Sequence, residues 1–382
     1  MTGPWLGGAE LFLPVSFAGF ALFGVVVGAQ GVLWAPLMTA LALGPGAFGS
    51  AQLLAPLVAM GFLLTAGPLT ARMGKKTAAL AGLGLLAASL AALARAGGLG
   101  GLLAALALQG AGVGLLETAL NGAVLDWEDA TGRRVMNVMH AAFSGGAVGG
   151  AFGAGVVLEH GGYYGSVLVV LAAGCLALAA GIPPVRYPST RAPAGRMGRS
   201  LRALARQPAL LALAGLAVLG IVGESVANTW SVIYLTEQGA SLLVGGAAFA
   251  LFNGAMATGR LANARLVAAI GPRGSLLASG AGLVLSGAAL VAPSPVGVAV
   301  AGFVLLGLAV AGIIPTVLSA AAEAARGDSG TVAGGVLAVA YGGFVVAPPL
   351  VGWLAELFSL QGALVSVGAS GLGVLWLARR IP

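Results

Sequence analysis

Long apolar runs alternate with short polar breaks along the whole chain. Bounded by charges, prolines or glycine clusters, the runs cover residues 11–43, 48–71, 76–95, 99–126, 135–159, 162–182, 208–236, 241–265, 274–293, 296–325, 330–357 and 361–379. Each supplies at least roughly the 20 residues that a helix needs to cross the hydrocarbon core of a bilayer. Several are long enough to tilt or to extend past the lipid. None has the short apolar–polar alternation of a transmembrane barrel strand. The runs are continuous and rich in Leu, Ala, Val and Gly, the habit of spanning helices. The pattern predicts an all-α integral membrane protein with twelve transmembrane helices. The first run is too long for a secretory signal and lacks its basic flank and cleavage site, so it reads as a span.

The breaks are not equivalent. Of the 18 Lys and Arg residues, all except Arg95 fall on one alternating set of breaks, around Arg72–Lys76, Arg133 and Arg134, the stretch from Arg186 to Arg206, Arg260–Arg273, Arg326, and Arg379 and Arg380. Because cytoplasmic loops carry the excess of Lys and Arg, both termini and the middle loop are expected in the cytoplasm. The one substantial polar segment, 183–207, reads as a basic linker between an N-terminal six-helix half, 1–182, and a C-terminal six-helix half, 208–382. An internal echo supports the division. GPLTARMGKK at 67–76 and GRLANARLVAAIG at 259–271 each place Gly, then Leu, then Arg at the basic end of a span. Paired six-span repeats with a midplane site are an architecture of secondary transporters.

Composition narrows the class. Hydrophobic residues make up 59% of the chain and charged residues 8%, where a soluble domain carries about 25% charged residues. The mean hydropathy is +1.02. The 65 glycines suit helices whose backbones approach closely. Cys175 has no second cysteine to pair with, and His140 and His160 lie far apart, so neither a disulfide nor a metal or other cofactor is expected. The net charge of +7 belongs to the loops as a topology signal and does not point to nucleic acid. There is no phosphate-binding G-x-x-x-x-G-K-[ST] loop and no nucleophile-and-base set. An enzyme is therefore not expected, and energy has to come from a gradient. The partners expected are a small-molecule substrate, protons and the lipid bilayer, for a multi-pass monomer in a bacterial cytoplasmic (inner) membrane.

Candidate chemistry is concentrated in 109–150, QGAGVGLLETALNGAVLDWEDATGRRVMNVMHAAFSGGAVGG. Glu117 lies inside an apolar run, where a carboxylate costs about 2.5–3.5 kcal/mol even on lenient insertion scales and marks a pathway more often than not. Asn121 is four residues on and shares its face. Gly110, Gly114, Thr118 and Gly122 form a small-residue stripe beside them. Glu224 and Asn228 repeat the spacing on the seventh span, and Ser231 continues that face. Asn137, His140 and Ser144 form a polar stripe on the fifth. Glu117, Glu224 and His140 are candidates for proton coupling; Gln30 and Asn253 are candidate cavity amides. Each has a structural alternative: a bond to a neighbouring helix for the acids and amides, or a backbone carbonyl as partner for the histidine. The acids between Asp126 and Asp129 are expected to pair with Arg133, Arg134 or the adjacent basic face.

Taken together these features resemble the major facilitator superfamily along essentially the whole chain. The family's loop motif G-x-L-x-D-R-x-G-R-K is matched by Gly67, Leu69, Arg72, Gly74, Lys75 and Lys76, with Ala71 where the family usually has Asp. The resemblance makes Gly67, Arg72, Gly74 and, in the second half, Arg260 a cytoplasmic gate motif. ETALNG, from Glu117 to Gly122, is similar to the fourth helix of fucose/galactose/glucose:proton symporters. Arg134, Asn137, His140, Phe143, Ser144 and Gly146, with Glu224, Trp230, Tyr234 and Leu235, are similar to related sugar permeases, Ser225 replacing a glycine. Such symporters carry an acid on helix one; here the nearest polar residue is Gln30. In that fold helices one, four, seven and ten line the cavity. The implied site takes Gln30, Trp34, Glu117, Asn121, Asn137, Glu224, Asn228, Trp230 and Asn253 to the substrate, Trp34 and Trp230 stacking on a sugar face or, for Trp230 and Tyr234, sitting in the interfacial aromatic belt. The implied activity is proton-coupled import of a sugar or similar polyhydroxylated molecule. The alternative is a drug/proton antiporter exporting lipophilic cations; a receptor or scaffold would be expected to carry a large soluble appendage.

Overall fold

Residues 11–188, 207–324 and 329–381 are described by the structure, a computed structural model. Among them every regular element is a helix. The first half holds α1 (Phe12–Ala40), α2 (Pro45–Gln52), α3 (Leu54–Met73), α4 (Lys75–Leu93), α5 (Leu99–Thr131), α6 (Met136–Glu159) and α7 (Tyr164–Gly181). The second holds α8 (Pro208–Glu237), α9 (Leu242–Val291), α10 (Val296–Ala311), α11 (Ile313–Ala324), α12 (Ser329–Ala340), α13 (Gly342–Leu357), α14 (Leu360–Ala363) and α15 (Val365–Ala378). Among the described residues 11 helical stretches are long and apolar enough to cross a membrane. One of them, α9, is two spans in one: within its 50 residues Gly271 leaves helical geometry at φ 75°, ψ 167°, directly before Pro272. A left-handed φ is available to glycine without a side-chain clash, and proline is well placed to open the helix that follows. All twelve expected spans are thus present.

Two details depart from the hydropathy pattern. Spans two, ten, eleven and twelve are each interrupted by one residue, at Leu53, Gly312, Tyr341 and Leu364, which a run of apolar residues cannot reveal. At Gly312 there is no room for a side chain: a Cβ there would lie 2.4 Å from Asn263 Oδ1. That amide accepts from Ser275 Oγ at 3.1 Å and donates to Thr316 Oγ1 at 3.1 Å, tying α9 to α11 in the interior. The second departure is the length of α5. The acidic stretch after residue 126 stays helical to Thr131, because Asp126 pairs with Lys75 and Lys75 also donates to the Gly122 carbonyl at 2.9 Å. Gly132, at φ 71°, ends the helix.

The described residues pack as two units. Met1–Ala42 with Leu54–Ala194 forms the first, and Leu43–Leu53 with Gly195–Pro382 the second. In the first, α1 packs most extensively on α6, and α5 on α3 and α4. The α1–α6 crossing is made by glycines. A Cβ on Gly24 or Gly28 would lie 1.9 or 2.0 Å from the carbonyl oxygens of Phe143 and Ala147. Gly146 and Gly150 reciprocate, 2.1 and 2.2 Å from those of Ala21 and Val25. Backbone-to-backbone approach of this kind is what small residues permit between spanning helices. The expected small-residue stripe serves the same end on α5: a Cβ on Gly110 would meet the Ala55 carbonyl at 2.3 Å, and one on Gly114 the Phe62 Cβ at 2.6 Å. Of the linker expected at 183–207, residues 189–206 lie outside the described residues, as does Arg326. Before it, Lys76 donates to the Pro183 carbonyl, and Tyr187 sets its ring edge-on to Phe12 at 5.4 Å. Burial there pushes the Tyr187 phenol up to about 12.

In the second unit α9 packs on α10 and α15, and α2 lies against α13. The Glu356 carboxylate accepts from Gly46 N at 2.9 Å, the anion-favouring start of α2. Trp353 Nε1 donates to Ser50 Oγ at 3.1 Å. Tyr234 does not lie in an aromatic belt: it is buried, and its hydroxyl donates to the Leu290 carbonyl at 2.8 Å. Tyr234→Phe is expected to remove about 1 kcal/mol of stability, read as a lower thermal midpoint of the purified protein; an unchanged midpoint would deny the bond any weight.

Candidate functional site

In the first unit three helices bring the sequence candidates together. Glu117, near the middle of α5, and Asn121 one turn on face an open cleft with His140 of α6. Phe20 and Phe23 from α1, Phe143 from α6 and Leu120 from α5 complete its lining. The glycine crossing decides this arrangement. With Gly24 against Phe143 and Gly28 against Ala147, the rings one turn earlier on α1 are drawn onto α6. Phe20 meets the His140 ring edge-on at 5.4 Å, and Phe23 meets Phe143 at 5.3 Å. The start of α6 is gripped from α5. Glu128 accepts from Val135 N and Met136 N and pairs with Arg134 at 3.3 Å. Those three contacts hold the Glu128 carboxyl below the usual carboxylate range, the two backbone bonds most of all.

The expected pairing of the acidic stretch therefore holds, divided between two partners: Arg134 takes Glu128, and Lys75 takes Asp126.

Within the cleft the Asn121 amide donates to the Glu117 backbone carbonyl at 2.9 Å, which fixes its side chain along the helix. Ser144 back-bonds to the His140 carbonyl at 3.1 Å. His140 and Asn137 are both exposed on α6, Asn137 a turn nearer the helix start. A carboxylate and an imidazole on facing helices can pass a proton between them and accept hydrogen bonds from hydroxyls. The phenyl rings offer flat apolar faces beside them.

The remaining candidates lie elsewhere. Gln30 is 3% exposed, and its amide is locked to Gln109 of α5 by two reciprocal bonds of 3.1 and 2.9 Å. Trp34 is buried a turn further along α1. In the second unit Glu224, near the middle of α8, lies 3.7 Å from the Arg260 guanidinium of α9, and Asn228 is half-buried one turn on. The Asn253 amide donates to its own helix at the Phe249 carbonyl, 2.9 Å away. Trp230 is fully buried, edge-on to Phe48 at 5.9 Å, and in this arrangement offers no face to a ligand. Of the gate motif, Gly67 lies within α3, Arg72 is exposed at its end, and Gly74 opens α4 at φ 79°. Arg260, set beside these by sequence, reaches an intramembrane acid.

Sequence reasoning passed over Phe20, Phe23 and Gln109 as site residues. The first two sit one turn from each other and from the Gly24–Gly28 pair, and that spacing was the available signal.

The chain belongs to the Major Facilitator Superfamily, which it matches over residues 15–342. It is 30% identical over 262 residues to the membrane protein MosC of Rhizobium meliloti, covering 68% of this chain and 63% of that protein, so the match spans less than two thirds of the relative. An uncharacterised MFS-type transporter of Yersinia pestis is 25% identical over 366 residues, 91% of each chain. Among solved structures, a mutant of the nucleoside transporter NupG superposes with a TM-score of 0.84 at 12% identity, over 97% of this chain and 99% of that one. The D-xylose-proton symporter does so at 0.73 and 15%, over 98% of each chain. The Escherichia coli fucose:proton symporter FucP does so at 0.62 and 18%, over 98% of this chain and 99% of that one. These three share its fold: twelve helices in two six-helix halves.

Proposed function

We propose that this transporter imports a sugar or another polyhydroxylated small molecule, coupled to protons, across a bacterial cytoplasmic membrane with both termini inside. The halves 1–182 and 208–382, joined through 183–207, alternate access as a monomer. One observation carries the reading: Glu117, Asn121 and His140 converge on a cleft walled by Phe20, Phe23 and Phe143. Carboxylate and amide bond hydroxyls, and phenyl faces take the C–H faces of a sugar ring. Glu117 is the first choice for the proton, since a carboxylate in an apolar run is functional more often than structural. Glu224, with Arg260 beside it, is the second, and His140 serves as relay. Gln30, Trp34, Asn137, Asn228 and Asn253 complete the proposed substrate set, joined by Trp230 only in a conformation that uncovers its ring, and Gly67, Arg72, Gly74 and Arg260 form the gate. The fold neighbours described as nucleoside, fucose and D-xylose transporters support this choice of cargo.

In proteoliposomes with an inward proton gradient, labelled L-fucose, galactose, glucose or uridine is expected to accumulate. Glu117→Gln is expected to abolish accumulation at least a hundredfold while leaving the protein folded. A second reading rests on the same cleft, which is more apolar than polar: an antiporter expelling lipophilic cations. Expulsion of a cationic dye with no uptake of any sugar or nucleoside would select it and end the first.

A further inference from the structure

Gln30 stands in the proposed substrate set, but its bond to Gln109 and the role of Gln109 have not been used so far. The geometry of the amide pair is specific. Each side chain donates one N–H to the other's oxygen, at 3.1 and 2.9 Å, so the two amides form a closed, self-complementary ring of hydrogen bonds. Gln30 is 3% exposed, while Gln109 is half-exposed. A buried amide left without a partner is costly, and the ring meets that requirement with nothing bound. Each amide still keeps one N–H and one oxygen lone pair in reserve. A molecule presenting a donor beside an acceptor can therefore take the place of either glutamine without leaving a polar group stranded. A molecule lacking that edge cannot.

Position connects this ring to the cleft. Gln30 lies two helical turns beyond Phe23 on α1 and about 20° round from it, and Gln109 lies two turns before Glu117 on α5 and about 80° round from it. At 1.5 Å per residue the ring sits about 11 Å along the helices from the cleft. That separation exceeds a single pyranose and fits two linked rings. Both glutamines belong to the first unit, so its movement as a body leaves their bonds intact; a ligand is what exchanges them.

We infer that Gln30 and Gln109 form the distal half of the binding site and select a two-ring polyhydroxylated substrate whose far ring carries adjacent donor and acceptor groups. This rests on the cleft being the substrate site. The edge can come from the diol of a disaccharide or the lactam of a pyrimidine nucleoside, and the two sources are told apart by their probes. Gln109 is thereby a specificity-determining residue, paired with Gln30.

The test uses the full-length protein in detergent with maltose, lactose, uridine and galactose as probes, read by thermal shift and equilibrium binding. The wild type is expected to bind a disaccharide or uridine more tightly than galactose. In the double variant Gln30→Met/Gln109→Met both amides are replaced together, so no unpaired group remains. Its affinity for the two-ring probe is expected to fall about ten- to a hundredfold, a larger loss than it suffers for galactose. Should that variant not fold, Gln109→Glu keeps the bond from the Gln30 N–H but, when ionised, removes the donor to the Gln30 oxygen and adds a charge; the same selective loss is expected. A changed thermal midpoint with unaltered affinities makes the pair structural and overturns the inference. So does a wild type that binds galactose best or no edge-bearing probe at all. If galactose accumulates and requires Glu117 while the double variant transports normally, this inference fails and the proton-coupled sugar reading stands. If uridine or maltose binding depends on the glutamines but no proton gradient drives uptake, the reverse holds.

Discussion

Gly28→Ala is expected to lower the thermal midpoint of the purified protein by several degrees, and Gly28→Leu to leave little folded protein to purify. A Cβ at Gly28 would stand 2.0 Å from the Ala147 carbonyl oxygen and 2.7 Å from its carbon. The neighbour is backbone, so nothing can rotate aside; α1 and α6 must separate. Overpacking costs about 1–3 kcal/mol where side chains can adjust, and here the opposing partner contact at Gly146 and Ala21 is disturbed as well. The control is on the same interface helix. At Gly145 and Gly149 an added Cβ meets nothing within 4 Å, and alanine is the better helix former, so those replacements should be neutral or stabilising. Unfolding monitored by size-exclusion after heating checks both. Equal midpoints for Gly28→Ala and Gly149→Ala would mean that the helices are not held at this distance. Because the crossing carries Phe20 and Phe23 onto His140 and Phe143, any Gly28 variant that folds should also lose ligand affinity.

Lys75→Met is expected to cost about 3 kcal/mol or more, the range for breaking a buried ion pair by removing one member. Lys75 spans two duties: it pairs with Asp126, which is 5% exposed, and donates to the Gly122 carbonyl on the helix that carries Glu117. Without it Asp126 loses a cationic partner in the interior, and the end of α5 loses the contact that keeps its acidic turn helical. Lys75→Met/Asp126→Leu should recover most of the loss, since replacing both members of a buried pair is often close to neutral. A double-mutant cycle on thermal or denaturant stability measures the coupling. If the double variant is as unstable as Lys75→Met alone, the pair is not what the lysine contributes.

Much of the fold was legible because a bilayer makes simple demands. Twenty apolar residues and a lopsided distribution of arginines are enough to count and place spans, and the twelve runs correspond to the helices. What hydropathy conceals is which side of a helix does what. Lipid and a neighbouring helix ask for the same apolar residues, so Phe20 and Phe23 read no differently from Phe12 or Phe17. Trp230 and Tyr234 read as rings for a sugar face or for the interfacial belt, yet both are buried, one against Phe48 and one bonded to Leu290. The polar residues were easier, since each is conspicuous against its background. Glu117, Asn121 and His140 were singled out and do meet at one cleft. Gln109 was overlooked because its meaning lies in Gln30, on another helix, and only folding puts the two amides face to face. The break at Leu53, and the grouping of Leu43–Leu53 with the second unit, have no counterpart in composition at all.

The glycine crossing also bears on how the chain is made. The surface that α1 presents to α6 is complementary to a helix that has not yet been synthesised when α1 leaves the ribosome. About 120 further residues must follow before that partner is complete, which at typical elongation rates is on the order of ten seconds. For that interval a groove shaped for one particular backbone lies open to lipid and to any other small-residue helix nearby. A membrane insertase that shields the first span until the fifth arrives would raise the yield of correctly assembled protein, and slowing translation between them would lower it.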